Sequence, residues 1–274
     1  AVQIDPNYSL ANYNIGKIFR ELGKLKEAIN FFQKSNLPAS KAELLECFYF
    51  SNNLEIYKKV LEKFKKEDSF NLRVATIAAF VSKKENIKNV YPFCREPLNY
   101  ILIKNLKKEL KLPDQFCENL LKKINEIQSI WEPSSYTTKG GYQTMGNLFD
   151  NNYKEILELQ KIIENQIINY REVYKEREDF FIKKWPKKTK FRGWHVKLFK
   201  QGHQKSHIHP SGWLSGVLYL KVPKLLNQNE GAIEFTLYGY DYINGDHLPS
   251  IIHTPKPLDI ALFPSSLFHR TIPF

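Results

Sequence analysis

The sequence predicts an α+β protein, helical in its N-terminal part and built as a β-sandwich or barrel towards its C-terminus. Three observations carry this. Apolar residues recur at helical spacing over residues 1–88. From Gly193 onward, short apolar runs separated by Gly, Pro and Asn replace that pattern. All seven histidines (His195, His203, His207, His209, His247, His253 and His269) fall in the last third, inside the β-rich part.

In the helical part, Tyr13, Gly16, Phe19, Gly23, Ala28, Ile29 and Phe32 alternate with polar positions. Gly16 and Ala28 are small enough for two helices to cross closely, and Gly23 suits the turn between them. The segment Leu25-Lys26-Glu27-Ala28-Ile29 is the most repeat-like. These residues resemble the tetratricopeptide repeat, a helix-turn-helix unit of about 34 residues. Ala1 and Pro6 then fall where a preceding repeat would end. A second helical unit is expected over Ala42 to Lys65 and a third helix over Leu72 to Val81. A solenoid of this kind is read either as a surface for a protein or peptide partner or as a helical spacer.

The Pro-marked stretch Tyr91-Pro92-Phe93-Cys94-Arg95-Glu96-Pro97 breaks the helical pattern. The domain boundary is therefore placed just before it, giving residues 1–88 and 89–274. A helix is expected from Pro113 to about Ile130, with Asp114 as its cap. A loop follows over Pro133 to Gly146, then a long amphipathic helix over Asn152 to Glu176 and a basic surface loop over Lys183 to Lys190. Strands are expected at Trp194–Phe199, Lys205–His209, Leu214–Val222, Gly231–Leu237, Ile251–Thr254, Asp259–Phe263 and Arg270–Phe274.

Composition narrows the classes. The chain has 274 residues and a net charge of +12. Its lysines are mostly spread along helices beside glutamates, as in Lys58-Lys59-Val60-Leu61-Glu62-Lys63, which is the pattern of a solvated face and argues against a nucleic-acid partner. No apolar run is long enough to cross a membrane, and the first residues lack the basic start and apolar stretch of a secretory signal. Cys47, Cys94 and Cys117 are odd in number and widely spaced, as expected of reduced thiols in a cytoplasmic protein. Met145 is the only methionine, which suggests a piece of a longer protein.

The chemistry centres on His207-Ile208-His209-Pro210. In an extended strand, residues i and i+2 face the same way, so His207 and His209 would present two imidazoles side by side. A third histidine from a later strand would complete a three-point grip on a metal ion. His269, in Phe263-Pro264-Ser265-Ser266-Leu267-Phe268-His269-Arg270, follows sixty positions later.

This order of residues resembles the iron(II)- and 2-oxoglutarate-dependent dioxygenases of the double-stranded β-helix (jelly-roll) fold, in their prolyl-hydroxylase-like branch. Trp213-Leu214-Ser215-Gly216-Val217-Leu218-Tyr219-Leu220, Gly231-Ala232-Ile233-Glu234-Phe235 and Pro255 to Pro264 carry the likeness, and Gly140-Gly141-Tyr142-Gln143-Thr144 adds a weaker feature. The resemblance implies a jelly roll with flanking helices, fused to repeats. It implies Fe(II) as the metal, 2-oxoglutarate as cosubstrate, and oxidation of a C–H bond with release of succinate and CO2. The substrate class it implies is a protein, a peptide or a small molecule, with the helical repeats as a possible peptide-binding surface.

The family motif is His-x-Asp or His-x-Glu followed by a distant His. His207 and His269 match the outer ligands, while His209 stands where the carboxylate is expected. Either His209 is itself the second ligand, or Glu234 or Asp259 supplies a carboxylate, or the site is degenerate. In the family the distal carboxylate of 2-oxoglutarate pairs with a basic residue about ten positions past the last histidine. Here that position would lie beyond Phe274, and Arg270, next to a ligand in an extended strand, faces the other way. Tyr219 matches a position that contributes a hydroxyl to the same carboxylate. Two other readings stay open: a three-histidine metal dioxygenase of the cupin type that does not use 2-oxoglutarate, and a non-catalytic repeat scaffold with a vestigial β-domain.

Overall fold

In the computed structural model, residues 5–223, 227–239, 242 and 247–274 are described. The chain divides into two compact units, Ala1–Glu96 and Pro97–Phe274. Ala1, placed by sequence at the end of a preceding repeat, lies outside the described residues.

Among the described residues the first unit holds five helices: α1 (Ser9–Glu21), α2 (Leu25–Lys34), α3 (Pro38–Phe50), α4 (Leu54–Glu67) and α5 (Leu72–Lys84). Gly23 sits between α1 and α2 with φ +72°, a conformation that only glycine takes without strain. Gly16 brings the two helices together: a Cβ there would lie 2.7 Å from the ring of Phe32. Helices α3 and α5 are buried on several sides, so their apolar residues do not form a single stripe. The unit at Ala42 to Lys65 is thus two helices, with Asn52 at φ +59° in the turn between them. Asn71 caps α5 by accepting a hydrogen bond from the Val74 N–H at 3.2 Å. The Pro-marked stretch after α5 stays with this unit. The Tyr91 hydroxyl accepts from the Asn71 N–H at 2.9 Å and donates to the Asp68 carbonyl.

The second unit mixes helices and antiparallel sheets, so the chain is an α+β protein. Its elements in order are β1 (Leu102–Asn105), α6 (Pro113–Ile124), β2 (Ser129–Trp131), β3 (Thr138–Thr144), α7 (Lys154–Val173), α8 (Phe180–Lys183), β4 (Val196–Gln204), β5 (Leu214–Leu218), β6 (Ile233–Thr236), β7 (Ser250–His253), β8 (Asp259–Pro264) and β9 (Phe268–Thr271). Among the described residues the strands form three three-stranded sheets, ordered β1-β8-β5, β2-β3-β4 and β7-β6-β9.

Several expectations on local structure are corrected. Helix α6 ends at Ile124, and β2 follows where the helix was expected to continue. The Leu112 position precedes α6 without a side-chain cap, and Asp114 lies inside its first turn. The loop expected over Pro133 to Gly146 holds β3, the central strand of its sheet. Its glycines allow close strand approach rather than a turn: a Cβ on Gly141 would sit 2.6 Å from the Lys197 carbonyl oxygen. Gly140, at φ +60°, lies at the register shift between β3 and β4.

Parity along β5 and β8 determines what each face meets. Leu218 and Leu220 pack against the cluster of Leu120, Ile124, Leu148, Ile156 and Leu159 from α6, α7 and the turn before α7. Odd-numbered residues point the opposite way. On that side Phe263 of β8 meets Phe235 of β6, with ring centroids 4.9 Å apart. The β1-β8-β5 sheet therefore has helices on one face and the β7-β6-β9 sheet on the other.

Candidate metal centre

His269 lies in β9, opposite Phe235 of β6 in the antiparallel register. The segment around His207 runs along the other side of β9 and joins it by a single bridge. In that bridge each N–H donates to the other residue's carbonyl, both at 3.1 Å. Two residues on, the His209 N–H donates to the Ser265 carbonyl at 3.0 Å, which pins the second histidine to the turn after β8.

This backbone arrangement brings three imidazoles together. Ring centroids are 4.2 Å apart for His207 and His269, 4.8 Å for His207 and His209, and 5.0 Å for His209 and His269. One ring nitrogen from each lies within 4.8 Å of the others. His207 and His269 are buried and His209 is half-buried.

Their hydrogen bonds orient the rings. The Nδ1 of His207 lies 2.7 Å from the Lys205 carbonyl, and the Nδ1 of His269 lies 3.2 Å from the Leu267 carbonyl. A carbonyl only accepts, so in both rings Nδ1 carries the proton and Nε2 keeps its lone pair. Such a backbone anchor fixes the tautomer a metal ligand needs.

The site also favours neutral imidazoles. Burial lowers the pKa of His207, partly offset by its bond to the Lys205 carbonyl. Burial, and then the neighbouring His207, pushes His209 down to about 4. Burial, followed by His207 and His209, holds His269 well below the ordinary histidine range. Three neutral nitrogen donors within 4.8 Å of one another suit a divalent transition ion, including Fe(II).

Among the described residues, these three histidines are the group able to hold a metal ion, and no carboxylate joins them. Glu234 lies on the face of β6 away from Phe235 and pairs with Arg270. That pairing also accounts for Arg270, which points away from the cluster. Asp259 is buried at the far end of β8. It accepts from Asn105 Nδ2 at 2.7 Å, from the Lys256 N–H at 2.8 Å and from His253 Nε2 at 2.8 Å. Burial raises the pKa of Asp259, but these donors outweigh it and hold the carboxyl below its ordinary value.

Tyr219 continues the line of β5, with its N–H donating to the Asp259 carbonyl at 2.9 Å. It shares the odd-numbered face with Phe263, whose ring lies 4.6 Å from that of His269. Tyr219 thus faces the same interior as the cluster, but Leu214 pairs with Pro264 at the opposite end of the strand pair. Burial, and then Asp259, raises its pKa, so the hydroxyl keeps its proton at neutral pH.

Trp194 is a neighbour of the cluster that residue patterns alone did not single out. Its ring meets that of His209 edge-on at 5.5 Å. The available signal was its place two residues before Val196, on the same face of β4. Gln143, opposite Val196, shares that face and accepts from the Thr138 hydroxyl at 2.7 Å.

The comparisons bear on the same stretch. Residues 192–274 match the family described as "Putative 2OG-Fe(II) oxygenase". The matched region runs from just before β4 to the end of the chain and contains all three histidines and Tyr219. It covers under a third of the sequence. No curated protein matches the chain.

Proposed function

We propose that the chain is an iron(II)-dependent 2-oxoglutarate oxygenase whose metal ligands are His207, His209 and His269. The single observation that supports this most is the convergence of three neutral imidazoles within the region that matches the oxygenase family. The antiparallel sheets, with the His207 segment and β9 carrying the ligands, are what a jelly roll of this family would supply. The close α1–α2 pair fits a tetratricopeptide-like repeat, and we assign the helical unit a protein or peptide partner.

When bound, Fe(II) would supply the redox chemistry that couples oxidative decarboxylation of 2-oxoglutarate to hydroxylation of a C–H bond. The protein's contributions follow from its own residues. His207 and His269, each anchored through Nδ1–H to a backbone carbonyl, would offer their Nε2 lone pairs to the ion. His209 supplies a third neutral donor, with Trp194 against its ring. Phe263 and Phe235 keep water from the inner side of His269. Tyr219, protonated on that inner face, is assigned to donate a hydrogen bond to the distal carboxylate of 2-oxoglutarate.

A second reading has an observation in its favour. With Glu234 and Asp259 committed elsewhere, the ligand set is all-histidine, as in a metal dioxygenase that does not use 2-oxoglutarate.

One experiment separates the readings. Metal-free protein is titrated with Fe(II) without oxygen and then with 2-oxoglutarate, and heat is measured at each stage. The proposal expects one bound Fe(II), and 2-oxoglutarate binding only after iron. His207→Ala and His269→Ala should each weaken iron binding by more than about 100-fold. Iron binding without 2-oxoglutarate binding would select the all-histidine reading. No iron binding would overturn both.

A further inference from the structure

The β2-β3-β4 sheet has a second face, turned away from the histidines. Trp194 touches His209, so its sequence neighbours His195 and Lys197 lie on the opposite side from Trp194 and Val196. On this outer face three aromatic side chains, one from each strand, form a cluster. Trp131 and Tyr142 have ring centroids 5.1 Å apart, Trp131 and Phe199 5.8 Å, and Tyr142 and Phe199 6.0 Å. Burial does not account for them. Trp131 is 47% exposed, Phe199 43% and Tyr142 41%. Large rings left this open on adjacent strands form an exposed apolar patch of the kind that marks a binding surface.

A cleft of about 190 Å³ adjoins the patch and shares Tyr142 with it. Its polar lining residues are Asn125, Ser129, Thr144, His195 and Lys197, beside Tyr142. No carboxylate lines it. The nearby acids already have partners: Glu132 pairs with Lys139 at 3.7 Å and Glu126 with Lys123 at 3.1 Å. Lys197 has no ion-pair partner among the described residues, and its Nζ lies 5.6 Å from the Phe199 ring centroid. A cation, hydroxyl and amide donors, and open aromatic rings thus occur on one surface.

We propose that this outer face is a second ligand site, separate from the histidine cluster, and that it takes a nucleoside phosphate. The base stacks on Trp131, the most exposed ring of the cluster, and the phosphate sits at Lys197 with Ser129 beside it in the cleft. A neutral sugar would leave Lys197 without a role, and a bare anion would leave the rings without one. The occupant is a free nucleotide, since the scattered, glutamate-paired lysines argue against a nucleic-acid chain.

The test is calorimetric titration of the full chain with AMP and UMP. Adenosine and ribose 5-phosphate probe the two halves of the ligand, and a short single-stranded oligonucleotide probes the polymer. The site expects AMP or UMP to bind and adenosine and ribose 5-phosphate each to bind at least about tenfold more weakly. Trp131→Ala and Lys197→Ala should each weaken nucleotide binding by about tenfold or more while iron binding is unchanged. An oligonucleotide that binds at least about tenfold more tightly than AMP would overturn the assignment to a free nucleotide. Absence of binding by AMP, UMP and the oligonucleotide would overturn the proposal. So would binding that both substitutions leave unchanged.

Discussion

His207 and His269 are joined twice. Their backbones exchange two hydrogen bonds of 3.1 Å, and their rings lie 4.2 Å apart. The backbone pairing sets the spacing of the two rings, so little reorganisation would oppose binding of an ion there. His209 is held less directly, through its N–H to Ser265 and its contact with Trp194.

The first prediction concerns pH. All three cluster histidines have pKa values below their ordinary value of about 6.5, which the unfolded chain restores. Below that value the unfolded chain takes up protons that the folded chain refuses. The metal-free protein should therefore keep its full stability above about pH 6.5 and lose it progressively as pH falls towards about 4. Urea midpoints measured across that range should fall with acidification, and His209→Asn should reduce the fall. A flat profile would contradict the neutral, buried cluster.

Trp194 provides the second. Trp194→Ala removes the ring that packs on His209 and leaves every proposed ligand in place. We expect Fe(II) affinity to drop by about tenfold, in keeping with the loss of a group that orients a ligand. Circular dichroism should be unchanged. Unchanged iron affinity would show that His209 needs no such support.

Tyr219 gives a prediction specific to the cosubstrate. Tyr219→Phe keeps the ring on the inner face and removes only the hydroxyl. Binding of 2-oxoglutarate to the iron-loaded protein should weaken by about tenfold, the worth of one hydrogen bond to a charged group. Iron affinity should not change. If both constants stay the same, Tyr219 is only a packing residue.

Gly141 tests the β3–β4 approach. An added methyl would lie 2.6 Å from the Lys197 carbonyl oxygen, so the strands must separate. Gly141→Ala should cost about 1–3 kcal/mol. That corresponds to a fall of about 2–12 °C in melting temperature for a unit of this size. An unaltered melting curve would mean that the strands can part freely.

The histidine pair was legible as a local pattern, but the strand expected over Lys205–His209 is only a bridge at His207, and the rings meet through the pairing with His269 and the His209 N–H bond to Ser265. The α1–α2 crossing was legible as well, since Gly16 and Ala28 carry their small size wherever they are placed. Strand β3 was hidden because Gly140 and Gly141 read as a turn, while their close partners on β4 lie more than fifty positions away in sequence. The end of α6 was obscured because apolar residues continue through Ile127 and Ile130 into β2. Trp194 could not be assigned to the cluster, because its contact with His209 depends on how β4 meets the His207 segment. The carboxylate question needed the fold as well: only pairing shows that Glu234 is taken up by Arg270 and that Asp259 is held by Asn105 and His253.

Strand β5 serves two neighbours. Leu218 and Leu220 fit into the helical layer of α6 and α7, while Tyr219, between them, faces the interior shared with His269. Its two sides therefore cannot drift independently. Inserting a single residue before Leu218 would turn the leucines towards the site and the tyrosine towards the helices. A transplant of the β-rich region alone would strip the leucines of their cover. Any engineered minimal version has to carry α6 and α7 along, although neither helix contributes a metal ligand.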